Sequence, residues 1–395
     1  LMGAALLLQR PAWSHAADAQ PEVNPAAEAA GGKDNGMPEA AGEWQTFPLK
    51  YVSVDHPDDP VLGIAHQWIP MKPPTDVWLD RLPKESRGKR FYGAGRMDGK
   101  YVGVLLEQTV PPVIYLDRDR DNDLSNETKV IGVQIRTRRG EKGATVYRFG
   151  PITMVNSKDR PGEESQWYVE TYASNRIRLY PARYRAGVVK LGGRSSLFAV
   201  VDNDGTGRYD DNFVFPPEDA PNRWDTIAID ANGNGTIEIP GKEDVELQPL
   251  TRLIQVRDAY WLIKMTADGS SVQIAPAKPK LGTLDVAAPD VEMIIMSDVG
   301  VFRLRGSEGK WQVPVGWYLC RHLTMRLKDI RSPQGWPLTS CGEKGQLGEF
   351  KIAQGATTRI PLGPPLTLDK PPTTPEGYRA TRFQSYATVV LTDQA

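Results

Sequence analysis

Apolar and polar residues alternate with a period of two along most of this chain, and the alternating runs stop at Gly, Pro, Asn or Asp. Such runs predict strands at Trp44–Val54, Tyr101–Leu106, Val113–Leu116 and 131–135, then at Gln166–Tyr172, Ile177–Tyr180 and Ala186–Leu191. Leu197–Val201 and Thr226–Ile229 are short and apolar throughout, and Leu253–Val256, Tyr260–Met265 and Ser271–Ile274 continue the series. Past Ala287-Ala288-Pro289 the pattern predicts Glu292–Met296, Val299–Arg305, Trp311–Val313, Trp317–Met325, Glu349–Ile352 and Thr357–Pro361. No long 3.6-residue period occurs before Leu284, and 37 glycines and 33 prolines suit turns better than helices. The expected fold class is all-β and multidomain. A β-meander or sandwich spans 44–285, and a small immunoglobulin-like or transthyretin-like sandwich spans 286–366.

The ends read differently. Met2–Leu8 is apolar and small residues follow at Ala16, Ala17 and Ala19, as in a secretory signal over 1–20 whose basic start is missing. That run is too short to span a bilayer. Residues 21–43 are rich in Ala, Pro, Gly and Glu and predict a disordered linker. Residues 367–395 read as a Pro-rich linker and one strand, Tyr386–Leu391, either opening a truncated further module or packing back as an edge strand. Export to the periplasm, the cell surface or the medium is expected. A disulfide between the only two cysteines, Cys320 and Cys341, fits that compartment, and two buried thiols are the alternative.

The candidate chemistry sits where three apolar runs each end at an aspartate. In the second loop side-chain oxygens recur at alternate positions, Asp202, Asp204 and Thr206, followed by Gly207, the carbonyl of Arg208, and Asp210 with Asp211 in reserve. The third repeats this with Asp230, Asn232, Asn234, Gly235, the carbonyl of Thr236, and Glu238. The first has Asp117, Asp119 and Asp121, then Asn122 in the glycine place, Asp123 and Glu127. Oxygens at positions 1, 3 and 5 of a curled loop converge on one point, a left-handed residue at position 6 permits the turn, and the position-7 carbonyl adds a donor. The chemistry is that of a hard cation, Ca2+. Charge count ranks the first loop strongest and the third weakest; three ion-free Asx turns are the alternative.

These loops resemble the DxDxDG calcium loops of dockerins. They resemble more closely those of secreted bacterial proteins in which such loops sit in a β-domain, over roughly residues 101–284. The resemblance implies calcium binding and export, and no reaction. None of the loops has an acid at position 12, where an EF-hand places its bidentate glutamate, and no helices flank them.

Other functions are weakly signalled. A net charge of −1 offers no basic field for nucleic acid. No HExxH, GxSxG or Walker loop occurs among residues that include only four histidines, and His56 with Asp55, Asp58 and Asp59 reads as a polar loop. Ten tryptophans, among them Trp167, Trp224 and Trp261, suggest either core packing or a carbohydrate-binding module of a secreted hydrolase. The expected function is a calcium-stabilised structural or binding protein with an unidentified protein or glycan partner.

Overall fold

The computed structural model describes residues 38–360 other than 55–58, 63–66, 74–80, 85–87, 98, 136–144, 156–163, 172–175, 215–223, 239–245, 287, 289, 307, 330–331 and 341–348, together with 367–368 and 389–390. The described chain is all-β, in several mostly antiparallel sheets, and contains no α-helix among the described residues. No helix among them is long and apolar enough to cross a membrane.

The sheet that carries the second and third loops runs in the order Lys50–Ser53, Arg183–Leu191, Arg194–Val201, Thr226–Ile229, Leu247–Pro249, with successive neighbours in a meander after the first strand. It is covered on both faces. Phe198, Val200, Ile227 and Ile229 pack with Ile254, Val256, Ile263, Val272 and Ile274, which belong to the sheet of Gln45–Pro48, Ser271–Ala277, Ala259–Met265 and Leu253–Val256. Ala199, Val201, Ala228 and Leu247, with Tyr184 of the same sheet, face the other way and cluster with Leu62 and Tyr180. Burial on both faces is why Phe198–Val201 and Thr226–Ile229 read as continuous apolar runs rather than alternating ones, although Leu197, which opens the first run, is exposed.

The first loop closes a second pair of layers. Val102, Val104, Leu106, Ile114 and Leu116 pack against Phe149, Trp167, Val169, Ile177 and Leu179. The former come from the sheet Lys89–Met97, Lys100–Gln108, Val113–Leu116, Val130–Ile131, and the latter from a five-stranded sheet centred on Gln166–Thr171. Trp167 is thus a core residue, 1% exposed.

Toward the C-terminus, Val291–Met296, Val301–Gly306, Gly316–Asp329, Ser332–Ser340 and Phe350–Ile352 form one sheet. Lys310–Pro314, Leu281–Val286 and Thr357–Ile360 form another, in which the last pair is parallel. Their shared core includes Met293, Ile295, Phe302, Tyr318 and Cys320, and takes in Leu253 and Leu262 from the preceding segment. Cys320 is buried, whereas Cys341 lies outside the described residues, as do His15, His56 and His66. Thr367–Leu368 pairs with Val389–Val390, inside the run predicted as Tyr386–Leu391.

One predicted strand is two. Trp44–Val54 breaks at Leu49: Gln45–Pro48 pairs with Ser271–Ala277, while Lys50–Ser53 pairs with Arg183–Leu191 in a different sheet. Leu49 is 4% exposed, and its N–H is held by the Ser270 carbonyl at 2.8 Å, so the corner is pinned by packing and one hydrogen bond. Strands at Gln67–Pro70, Lys89–Met97 and Val146–Thr153 went unpredicted, because their Arg, Gly, Gln and Pro residues dilute the alternation.

Removing the ring of Phe198, fully buried between two sheets, should lower stability by about 3–5 kcal/mol, whereas Val188→Ala, on the neighbouring strand and 53% exposed, should change it by less than about 0.5 kcal/mol. Urea unfolding of both variants checks this; equal midpoints would contradict the two-faced burial of this sheet.

Candidate metal centre

Each aspartate loop joins two antiparallel neighbours. The first runs from Val113–Leu116 toward Val130–Ile131, the second leaves Arg194–Val201 and returns as Thr226–Ile229, and the third leaves Thr226–Ile229 and returns as Leu247–Pro249. The three loops have the same backbone. Positions 4 and 6 are left-handed in all of them: Arg120 (φ 61) and Asn122 (φ 63), Gly205 (φ 76) and Gly207 (φ 76), Gly233 (φ 77) and Gly235 (φ 83). Glycine takes this conformation without steric penalty, and Asn is the best side-chain-bearing substitute.

The same hydrogen bonds repeat as well. In the second loop Asp202 Oδ1 accepts from the N–H groups of Gly205 (2.7 Å) and Thr206 (3.1 Å), and Oδ2 from Gly207 (2.9 Å). In the third, Asp230 accepts from Gly233 (2.7 Å), Asn234 (3.0 Å) and Gly235 (2.9 Å). In the first, Asp117 accepts from Asp121 and Asn122, both at 3.2 Å. The position-3 oxygens of Asp119, Asp204 and Asn232 accept from the N–H two residues on, as do the position-5 oxygens of Asp121, Thr206 and Asn234. One pattern of alternating oxygens therefore produces one loop shape three times.

Surroundings separate the three. In the first loop Asp117 is buried, while Asp119 and Asp121 are exposed. Asp117, Asp119 and Glu127 each bring a carboxylate oxygen within 4.8 Å of the others. Glu127 is also held by Arg118, through its N–H at 2.6 Å and its Nε at 2.7 Å. Burial raises Asp117 to about 6 against hydrogen bonds from Asn122 and Gly103 that lower it. Asp123 turns outward and caps the Ser125 N–H at 2.8 Å. Residues 232–236 of the third loop are exposed, and Glu238 accepts from Asn234 Nδ2 at 3.2 Å. Thr236 donates both its N–H and its hydroxyl to Asn234 Oδ1.

The second loop is enclosed: every residue from 202 to 207 is buried. Asp202, Asp204 and Asp225 bring carboxylate oxygens within 4.8 Å of one another. Asp210 lies apart from that group and is forked by its neighbour Arg208, Nε to Oδ1 at 3.0 Å and Nη2 to Oδ2 at 2.7 Å. Thr206 donates its hydroxyl to Asp211 Oδ2 at 2.8 Å.

Asp225 escaped the motif because it precedes the returning strand instead of lying in the loop. Val201 pairs with Thr226, so Asp202 and Asp225, the next residues outward, stand opposite each other. Asp225 is fully buried; its Oδ2 accepts from the Asp211 N–H at 2.9 Å, and its Oδ1 has no hydrogen-bond partner among the described residues. Glu246 likewise precedes the returning strand beside the third loop, but it lies across from Ile229 rather than Asp230; it is 1% exposed and accepts from the N–H groups of Ala231 (3.1 Å) and Glu238 (2.6 Å). A search for an acid just before an apolar run that hairpins onto the loop-bearing strand would have found both.

The electrostatics of the enclosed group are unfavourable without a counter-charge. Burial raises Asp202 to about 6. Burial first, then Asp202 and Asp211, hold Asp204 well above the usual carboxylate range, and burial followed by Asp204, Asp202 and Asp211 does the same to Asp225. Two ionised carboxylates 4.8 Å apart repel by about 3.5 kcal/mol at an effective dielectric of ~20. Three such pairs come to about 10 kcal/mol, on the scale of a whole domain's stability. The donor set is oxygen alone, the ligand type that suits hard divalent cations.

No protein-family model, curated protein or solved structure matches this chain.

The raised carboxyls give a signed pH dependence in the presence of chelator. Their folded pKa values exceed the unfolded value near 3.9, so the fold holds these protons more tightly, and stability is lost as pH rises through about 6. Asp204→Asn removes one charge from the group while keeping its shape. Its stability relative to the unsubstituted chain should therefore improve as pH rises from the unfolded carboxylate value near 3.9 to beyond about 6. A difference that stays flat in chemical denaturation across that range would contradict the mutual repulsion.

Proposed function

We propose that this chain is an exported, β-rich structural or binding protein whose aspartate loops bind calcium and are stabilised by it. The observation that carries this is the threefold recurrence of one loop shape, with left-handed positions 4 and 6 and the position-1 aspartate closing on the N–H groups beneath it. A polar turn needs no such repetition, whereas a loop that gathers oxygens from positions 1, 3, 5 and 7 around an ion does. In this reading Asp117, Asp119, Asp121 and Glu127 with the Asp123 carbonyl serve the first site. Asp202, Asp204 and Thr206 with the Arg208 carbonyl serve the second, and Asp230, Asn232 and Asn234 with the Thr236 carbonyl the third.

Export fits the same chemistry. Extracellular modules bind calcium at about 0.1–1 mM, an affinity useless at cytosolic calcium levels and sufficient outside the cell. A filled site of this kind adds about 1–3 kcal/mol through mass action. The loops tie adjacent strands of two sheets, so that energy falls on the sheet ends, where hydrogen bonding would otherwise stop. The role assigned to the ions is mechanical, and the partner bound by the scaffold is a protein or a glycan.

Calorimetric titration of the full chain with calcium, repeated on Asp117→Ala, Asp202→Ala and Asp230→Ala, tests the assignment. Titrated after their ions have been stripped by unfolding and refolding in chelator, the variants should each lose the heat of one class of sites, and chelation should lower the melting midpoint of the unsubstituted chain by several degrees. Identical heats in all four proteins would refute the loops as calcium sites.

A further inference from the structure

We propose that the second loop holds a resident structural cation, ligated by Asp202, Asp204 and Asp225, which is enclosed as the chain folds and does not exchange with solvent in the native state. The proposal rests on the calcium reading of the loops and goes beyond it, by adding a ligand from outside the loop and by setting this site apart from the other two.

Three observations converge on it. Asp225 is delivered by strand register, directly across from Asp202, and belongs to no loop motif. Its Oδ1 is fully buried without a hydrogen-bond partner among the described residues, a state that a carboxylate oxygen holds only at a large penalty unless a cation or a proton satisfies it. The backbone from 202 to 207 is itself buried, whereas the first and third loops expose their position-3 and position-5 side chains.

Neighbouring elements close the site over. Arg120, the left-handed position 4 of the first loop, is 8% exposed and donates from Nη2 to the Gly205 carbonyl at 2.8 Å. Met97 lies against Gly205, where a Cβ would meet its side chain at 3.4 Å, an ordinary van der Waals contact. On the far side the Tyr209 N–H is tied to the Ala267 carbonyl at 3.0 Å, and the Phe213 N–H to the Leu250 carbonyl at 2.8 Å. An ion at the Asp202–Asp204–Asp225 point is therefore fenced by these three hydrogen bonds and the Met97 side chain, and its escape requires the sheet end to open.

Charge count ranks the first loop highest, but enclosure reverses the order. Dehydrated carboxylates attract a cation more strongly than hydrated ones, and here three of them converge on one point. The first and third loops, open to water, would then fill and empty with the calcium concentration, while the second would be occupied whenever the protein is folded.

The test is elemental analysis of the full chain after passage through EDTA under native conditions. The unsubstituted protein should retain a single divalent ion per chain, identified by mass spectrometry. Asp117→Asn and Asp230→Asn should retain the same, and Asp225→Asn none. Because Asp225→Asn could fail to fold, release from the unsubstituted protein is timed in parallel: loss of the ion to chelator should keep pace with unfolding across a series of urea concentrations. Rapid, complete loss from the folded protein, or full retention by a folded Asp225→Asn, would overturn the proposal. If EDTA strips every ion while calorimetry still shows calcium heats that Asp202→Ala abolishes, enclosure fails and the calcium reading stands. If neither retention nor calcium heats are seen, both fall.

Discussion

Like charges buried together are the constraint around which this structure turns. Asp202, Asp204 and Asp225 sit at the end of a sheet covered on both faces, each less than 5% exposed, with carboxylate oxygens within 4.8 Å of one another. Their ionised forms would repel with an energy comparable to the stability of the domain. A chain that folds this way must either keep protons on the group or supply a cation to it. The arrangement is built into the strand register, because the pairing of Val201 with Thr226 forces Asp202 and Asp225 to face each other wherever that hairpin forms.

Environment, more than loop sequence, divides the labour among the three loops. They share dihedral angles and a hydrogen-bond pattern. One is enclosed between layers and two meet solvent. Arg120 joins the first loop to the second through the Gly205 carbonyl, so the two lie in contact although their sequences are 85 residues apart at that bond. The third is braced by Glu246, whose two oxygens accept N–H groups on either side of the loop. Scaffold and sites are thus mutually dependent: sheet ends position the oxygens, and a bound cation would hold the sheet ends together.

Much of this was legible from residue order alone. The doubly buried strands announced themselves as unbroken apolar runs, and the loops as aspartates at fixed spacing followed by Gly207, Gly235 or Asn122. Asn122 does adopt the left-handed conformation its place in the motif demands. What stayed hidden was whatever depended on pairing. Asp225 and Glu246 are distant in sequence from the loops they complete and carry no motif of their own; only the register of Thr226–Ile229 with its neighbours brings them in. Asp210 illustrates the converse, since it sits at a plausible ligand spacing yet is occupied by Arg208, two residues before it. The corner at Leu49 was hidden for a similar reason, because both halves of Trp44–Val54 are extended and only their different partners separate them.

The most direct measurement is an anomalous difference map from crystals grown in calcium, with data collected at long wavelength. The account predicts a strong peak among Asp202, Asp204 and Asp225, with at least one oxygen of each at about 2.3–2.6 Å from it. A map with peaks at the two open loops and none at this point, or a peak there from which Asp225 is turned away, would contradict it.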